Sequence, residues 1–292
     1  MKKSIVFGGS GFLGSHIAEI LSNNGHEVTI FDLNKSKYSF KNQKMIIGDI
    51  LDSNKIKNVI KGKDYVFNFA GISDIDYSNV HPIDTMKQNI IGNSNIVNGC
   101  YVNNIKRFIF ASSIYVYSDK GGFYRVSKQA CENFIESFSQ EKKLDYTILR
   151  FGSLYGPRSN NNNGIFRFIN EAINKKSISF NGSPNSYREF IHVNDAAKMT
   201  LKILSKEYKN QHVTLTGQQK LKIKDLLTMI KEILSIRNLK IKYSKNKNLH
   251  YEMTPYKFNP KYGKNITLNE YIDIGQGLLE LIEILNDNSK KK

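Results

Sequence analysis

Ile5-Val6-Phe7-Gly8-Gly9-Ser10-Gly11-Phe12-Leu13-Gly14 is the stretch whose reading decides the fold. An apolar, β-prone run stops at glycines, and helix-like sequence resumes at His16–Leu21. Both the Gly8-x-x-Gly11-x-x-Gly14 and the Gly9-x-Gly11-x-x-Gly14 frames fit a strand-turn-helix unit that receives a pyrophosphate. One glycine permits unusual backbone angles, one removes the Cβ that would strike the phosphates, and one lets helix and strand pack closely. The helix N-terminus then offers free N–H groups and partial positive charge. Asp32 closes the next apolar run about 20 residues on, where a carboxylate accepts hydrogen bonds from ribose hydroxyls and repels a 2′-phosphate. A dinucleotide site preferring NAD to NADP is expected.

Outward from that turn, short β-branched runs alternate with longer amphipathic segments. Ile5–Phe7, Glu27–Phe31, Met45–Ile47, Tyr65–Phe69, Phe108–Ala111 and Tyr146–Leu149 read as buried strands, and 12–24, 52–61, 82–103 and 124–140 as helices. This predicts an α/β chain, a Rossmann-type doubly wound parallel sheet over residues 1–155. After Gly156-Pro157 the pattern changes: an Asn run at 160–163, then helices at about 165–175, 194–205 (capped by Asn194 or Asp195), 223–235 and 268–285. Residues 156–292 are read as a smaller mixed α/β substrate-binding region interleaved with the first.

Composition narrows the function classes. The chain has 292 residues, 40% of them hydrophobic and 24% charged, and no apolar stretch long enough to span a membrane. The N-terminal apolar run is cut off at Gly8-Gly9, too short for a signal peptide, so a cytoplasmic protein is expected. Cys100 and Cys131 are too few for a disulfide framework or a metal cluster and are read as reduced packing residues; no metal is expected. The 43 basic against 26 acidic residues give a net charge of +17. These are mostly scattered lysines, with arginine confined to 107, 125, 150, 158, 167, 188 and 237, and the pattern reads as a solvated surface, without nucleic acid or membrane as partner.

Tyr124 and Lys128 lie four residues apart and so on one helix face. A phenol with a pKa near 10 is a poor base at neutral pH, and a neighbouring ammonium brings it into range. Arg107-Phe108-Ile109-Phe110-Ala111-Ser112-Ser113 reads as a strand ending in two serines at the carboxyl edge of the sheet, where a hydroxyl can hold a substrate oxygen. Local turn capping is the alternative role, weighing more on Ser112 than on Ser113.

These segments, with Gly48-Asp49-Ile50, Asn68-Phe69-Ala70-Gly71, Asn89, the stretch from Leu149 to Arg158 and that from Tyr187 to Ala197, make the chain resemble the extended short-chain dehydrogenase/reductases. Within that family it is similar to the NAD-dependent nucleotide-sugar epimerase/dehydratase group. The resemblance implies cofactor contact by Gly8, Gly11, Phe12, Leu13, Gly14, Asp32, Asp49, Ile50, Ala70, Asn89, Tyr124 and Lys128. It implies catalysis by Ser113, Tyr124 and Lys128. Tyr124 would take a proton from a sugar hydroxyl held by Ser113 while the carbon's hydride passes to NAD, and an epimerase would return that hydride to the other face of the keto-sugar. Arg188 corresponds to a diphosphate-binding arginine whose fork suits phosphate oxygens, with a salt bridge to Glu189 as the alternative. Asn163 falls near a diphosphate-contacting asparagine and 178–182 near a base-lining segment; His192 is read as structural. The group commonly dimerises through helices equivalent to 82–103 and 124–140, so a homodimer is expected.

Three departures shape the functional expectation. Dehydratases of the group carry an Asp-Glu pair after the catalytic Ser/Thr, whereas Ile114-Tyr115 stand here. Only Ile114 to Phe123 separate Ser113 from Tyr124, and Gly121-Gly122 replaces substrate-facing loop sequence. Ser153 and the segment Thr254–Lys264 replace a usual Asn and Arg-x-Asp, with Lys257, Lys261 or Lys264 as substitute phosphate cations. The expectation is a nucleotide-sugar epimerase, most simply UDP-hexose 4-epimerase-like, with tightly held NAD. A dehydrogenase or keto-reductase on the same scaffold, and a non-catalytic RNA- or protein-binding relative, remain the alternatives, and the nucleotide stays open.

Overall fold

The computed structural model describes residues 1–38, 41–217 and 220–244. The expected helix at 268–285 and the lysines at 257, 261 and 264 lie outside the described residues. In chain order the first elements are β1 (Lys2–Phe7), α1 (Phe12–Asn23), β2 (His26–Asp32), β3 (Gln43–Ile47), α2 (Ser53–Ile60) and β4 (Tyr65–Asn68). Then follow α3 (Ile75–Val80), α4 (Pro82–Met86), a π-helical turn (Lys87–Ile91), α5 (Gly92–Val102), β5 (Arg107–Ser113), a 3-10 turn (Ile114–Tyr117), α6 (Gly122–Lys142) and β6 (Tyr146–Phe151). The remainder comprises β7 (Ser153–Tyr155), α7 (Gly164–Lys175), β8 (Ser177–Asn181), β9 (Tyr187–His192), α8 (Val193–Lys202), β10 (Gln211–Leu215), β11 (Lys220–Lys222), α9 (Ile223–Ile233) and β12 (Lys240–Ser244).

Seven strands form one parallel sheet in the order β10-β6-β5-β4-β1-β2-β3, the doubly wound arrangement the sequence predicts. Its strands read as unbroken apolar runs because both faces are covered. Ile5, Phe7, Phe108 and Phe110 point to one face and join Ile56, Ile60, Ile96, Val97 and Ile135 from α2, α5 and α6. Val6 and Ile109 point to the other and join Ile17, Ala18 and Leu21 of α1 and Ala196 and Ala197 of α8. The strand order reverses between β1 and β4, opening a crevice beyond their carboxyl ends.

β10 returns from the later part of the chain to pair with β6, so the two parts are interwoven. The later residues also form a β11-β9-β7 sheet and a β12-β8 pair, with a separate apolar cluster of Phe168, Ala172, Ile178, Phe180, Leu227 and Ile230. These short strands carry little period-2 signal of their own and owe their form to partners distant in sequence. Two readings need correction. The expected single helix at 82–103 is interrupted by the π turn, and α8 is capped not by Asn194 or Asp195 but by His192, whose Nδ1 accepts from the Asn194 N–H at 3.3 Å. This capping contact fits the structural role expected of His192.

At the β1–α1 turn, a Cβ on Gly14 would stand 2.1 Å from the Gly8 carbonyl oxygen, whereas one on Gly25 meets nothing within 4 Å and suffers only its positive φ of +79°. Gly14→Ala is therefore expected to cost about 3 kcal/mol and Gly25→Ala about 1 kcal/mol. Urea unfolding of both variants measures the difference; equal losses would contradict this account of the turn.

Candidate functional site

Three cavities run together along the sheet's carboxyl edge. The first, 350 Å³, is lined by Gly8, Gly11, Asp32, Leu33, Gly48 and Ile50, with Ala70 and Gly71 opposite. The second, 300 Å³, shares Gly8, Gly11, Ala70 and Gly71 with it and continues past Phe12, Leu13 and Gly14 to Ser113, Tyr124 and Lys128. The third, 170 Å³, shares Ser73, Ser113 and Tyr124 with the second and extends to Tyr115, Ser153 and Arg188. Ser113 and Tyr124 thus stand at the junction of a long groove and a small polar pocket. A larger space of 540 Å³ between Tyr155, Phe190, Asp195 and Lys198 contains none of these groups.

The groove is built for an extended anionic ligand. Gly11 caps α1 with no side-chain hydrogen bond, leaving first-turn N–H groups to face the second cavity. Gly8, with φ +75°, packs so closely on the Phe69–Ala70 backbone that a Cβ would approach to 2.6 Å. Asp32 also stiffens the turn: its carboxylate accepts from the Ser10 N–H at 3.0 Å and the Asn34 N–H at 3.1 Å. Ile50 lines the groove, while Asp49 is absent from its walls and accepts from the Leu51 N–H at 2.9 Å.

Asn89 also stands behind the wall. Its Oδ1 accepts from the Ile72 N–H at 2.7 Å, and its Nδ2 donates to the Ile72 carbonyl at 2.9 Å and to the Ser127 Oγ at 2.9 Å. Ser127 in turn donates to the Tyr124 carbonyl at 2.7 Å. Asn89 therefore braces the Gly71-Ile72 wall against the helix that carries Tyr124 and Lys128. It sits in the π turn, whose freed backbone groups find other partners: the Asn89 carbonyl accepts from Cys131 at 3.1 Å. Burial pushes the Cys131 thiol up to about 11, and both free cysteines are buried, which fits packing roles.

Ser113 ends β5, shares a side-chain hydrogen bond with Tyr124 and also accepts from the Tyr115 N–H at 3.3 Å. The short connection closes because Gly121 (φ +98°) and Gly122 (φ +51°) turn the chain into α6, where a Cβ on Gly122 would stand 2.0 Å from Asn79 Oδ1. Those two glycines serve the turn, and they bring Tyr124 back to Ser113. Burial pushes the Tyr124 phenol up to about 12, against the hydrogen bond from Ser113. Lys128 donates to the Ala111 carbonyl at 2.8 Å, with its ammonium 4.7 Å from the Phe110 ring centre and 5.8 Å from that of Tyr124. Burial lowers its pKa, opposed by Cys131 and Glu132. Ser112 does not cap a turn: it donates to Glu132 at 2.5 Å.

In the third cavity Arg188 is buried, and it donates to the Tyr187 carbonyl at 2.8 Å. Burial raises the pKa of Tyr115, with Arg188 opposing and Asp76 adding to the shift. Asn163 caps α7, accepting from the Phe166 N–H at 3.2 Å and donating to the Leu154 carbonyl at 2.7 Å; it lines none of the three cavities. Ile178 and Phe180 belong to the apolar cluster beneath α7. Sequence reasoning missed Ser73, Tyr115 and Gly152 as pocket walls. Only Tyr115 carried a signal, its closeness to Ser113, and its direction depends on the 3-10 turn. Among the described residues no group of three or more His, Cys, Asp or Glu could hold a metal ion, and no helix is long and apolar enough to cross a membrane.

A doubly wound sheet, a glycine turn and a Ser/Tyr/Lys set at the groove define an extended short-chain dehydrogenase/reductase. The sequence model of the NAD dependent epimerase/dehydratase family matches residues 4–215, and the chain belongs to that family. It is 28% identical to a UDP-N-acetyl-alpha-D-glucosaminuronate decarboxylase of Bacillus cytotoxicus over 80% of each chain. It is 25% identical to a putative UDP-glucose 4-epimerase of Methanocaldococcus jannaschii over 98% of this chain and 99% of the other. The solved UDP-N-acetylglucosamine 4-epimerase of Methanobrevibacter ruminantium M1, in complex with UDP-N-acetylmuramic acid, superimposes with TM-score 0.78 at 27% identity, covering 89% of this chain and 93% of that one. NAD is the cofactor, and the bare helix N-terminus, the close-packed glycines and Asp32 fit it.

Removing the Asn89 amide should loosen this groove. Asn89→Ala strips three side-chain hydrogen bonds from a buried site and is expected to cost about 2 kcal/mol in stability and to weaken NAD binding about tenfold. Thermal melts and NAD titration of cofactor-stripped protein measure this; unchanged NAD affinity would refute the bracing role.

Proposed function

We propose that the chain is an NAD-dependent nucleotide-sugar epimerase acting at C4 of a UDP-linked hexose. The observation that carries this is the shared wall of the second and third cavities, where Ser113 and Tyr124 face the groove on one side and Arg188 on the other. Arg188 holds the diphosphate of the substrate, Ser113 hydrogen-bonds the sugar hydroxyl, and Tyr124 takes its proton. Lys128 supplies positive charge behind the phenol, which burial would otherwise keep protonated. NAD, held by the glycine turn and Asp32, would supply the acceptor and later the donor of the sugar carbon's hydride. Between these events the keto-sugar turns about its diphosphate while Arg188 keeps hold, and Tyr124 gives the proton back.

Among the described residues, the walls of the third cavity contain no Asp or Glu. A 4,6-dehydration needs an acid there to expel the C6 hydroxyl, and this favours epimerisation. The epimerases named above carry UDP-sugars in their descriptions, which supports UDP as the nucleotide, although dTDP-D-glucose 4,6-dehydratases at 26% identity are also among the relatives. A homodimer through α4 to α6 belongs to the same proposal, since Ile83, Ile91, Val102, Phe123 and Val126 stand exposed there. Sedimentation should return twice the chain mass, and a monomer would refute the dimer.

Incubation of purified protein with UDP-glucose or UDP-N-acetylglucosamine, without added cofactor, is expected to yield the C4 epimer by NMR. Net release of NADH would point instead to a dehydrogenase. Tyr124→Phe should lower kcat by about 10³-fold while sparing NAD binding, and the native rate should rise with pH from the acid side as the phenolate forms. Turnover that survives in Tyr124→Phe would remove Tyr124 as the base.

A further inference from the structure

Below the triad lies a buried polar network that the reaction as described leaves unused. Glu132 is one helical turn beyond Lys128 on α6, and it is buried. Arg150 of β6 grips its carboxylate with two donors, Nη2 to Oε2 at 2.6 Å and Nε to Oε1 at 3.1 Å. The same Oε1 accepts from Ser112 Oγ at 2.5 Å, and Ser112 is the residue immediately before Ser113. One carboxylate therefore joins the end of β5, which carries Ser113, to the helix that carries Tyr124 and Lys128.

We propose that Glu132 is a positioning residue for this reaction: clamped by Arg150, its carboxylate fixes β5 against α6 through Ser112 and supplies the countercharge for Lys128. The inference rests on the reading of Ser113, Tyr124 and Lys128 given above. Its physical basis is the expense of burying an ammonium. Lys128 has one hydrogen bond to a neutral carbonyl and two aromatic rings nearby, and the buried Glu132 carboxylate one helical turn away opposes the loss of its proton. The direction of the Glu132 effect on Lys128 agrees.

The charged and titratable groups around the network come from every element packed on it. Arg150 and Tyr146 lie on β6; Tyr117, in the 3-10 turn, accepts from Arg150 at 2.6 Å; Cys131 and Glu136 lie on α6. His212 of β10 meets Glu136 at 2.6 Å and Glu132 at 3.7 Å. Arg150 is always charged and His212 lies at the outer end, so the loss of Glu132 leaves a buried surplus of positive charge beside Lys128. The ammonium then loses its proton at lower pH.

The experiment is a pH–rate profile of the NAD-loaded enzyme, with the UDP-sugar that turns over, for native protein, Glu132→Gln, Glu132→Asp, Ser112→Ala and Tyr124→Phe. Glu132→Gln is expected to lower kcat about tenfold, leave KM within about twofold and move the basic limb of kcat down by about one pH unit. Glu132→Asp should restore the position of that limb, and Ser112→Ala should lower kcat about fivefold with the limb unmoved. A merely structural role would not move the limb; an unshifted limb in Glu132→Gln overturns the inference. Should Glu132→Gln fail to fold or to hold NAD, Ser112→Ala decides: unchanged kcat overturns the proposal, and a lowered kcat at native KM supports it. A dead Tyr124→Phe beside a native-like Glu132→Gln refutes only this inference, whereas turnover by Tyr124→Phe refutes the underlying reading and the inference with it.

Discussion

The close seat of α1 on the end of β1 is the constraint from which the rest of the molecule follows. Gly14 can approach the Gly8 carbonyl only because it has no side chain, and Gly8 can lie on the Phe69–Ala70 backbone for the same reason. These contacts place the bare N-terminus of α1 over the crevice between β1 and β4, where the strand order reverses. A helix start displaced by the bulk of one methyl group would no longer aim its N–H groups at the second cavity. The sheet's two apolar faces hold the strands in order, and the glycines decide how near a ligand can come to that order.

A second constraint concerns charge. Tyr124 and Lys128 are both buried, and burial opposes the charged form of each: it raises the phenol and lowers the ammonium. In the proposed reaction the site works as an assembly: Ser113 lowers the phenol against burial, Lys128 is assigned to favour the phenolate, and Glu132 favours the ammonium. Asn89 and Ser127 add a hydrogen-bonded path from the groove wall to the catalytic helix. Polar groups at this depth are costly when unpaired, and the tight pairing around Glu132 is the corresponding compensation.

The net charge of +17 enters this picture in two ways. A few cations are fixed in place, Lys128 beside the phenol and Arg188 in the pocket beyond it. Others balance local acids at the surface, such as Lys106 with Asp64 at 2.9 Å and Lys209 with Asp145 at 2.8 Å. The remaining surplus would give the proposed anionic substrate a favourable field on approach, screened at distances beyond about 8 Å in physiological salt.

The sequence by itself determined the doubly wound sheet, the glycine turn, Asp32 and the Tyr124/Lys128 pair. Each is written in local spacing: apolar runs of strand length, glycines three residues apart, and a four-residue helical repeat. The short strands β7 to β12 were not legible, because their pairing energy comes from residues far along the chain, as when β10 docks on β6. The same holds for the roles of individual polar residues. Asn89 turns to Ile72 and Ser127, Asn163 to its own helix and to Leu154, and Ser112 to Glu132. Only the tertiary structure decided these, since a side chain's hydrogen-bond partner is fixed by which elements pack together, and no spacing within one element records it.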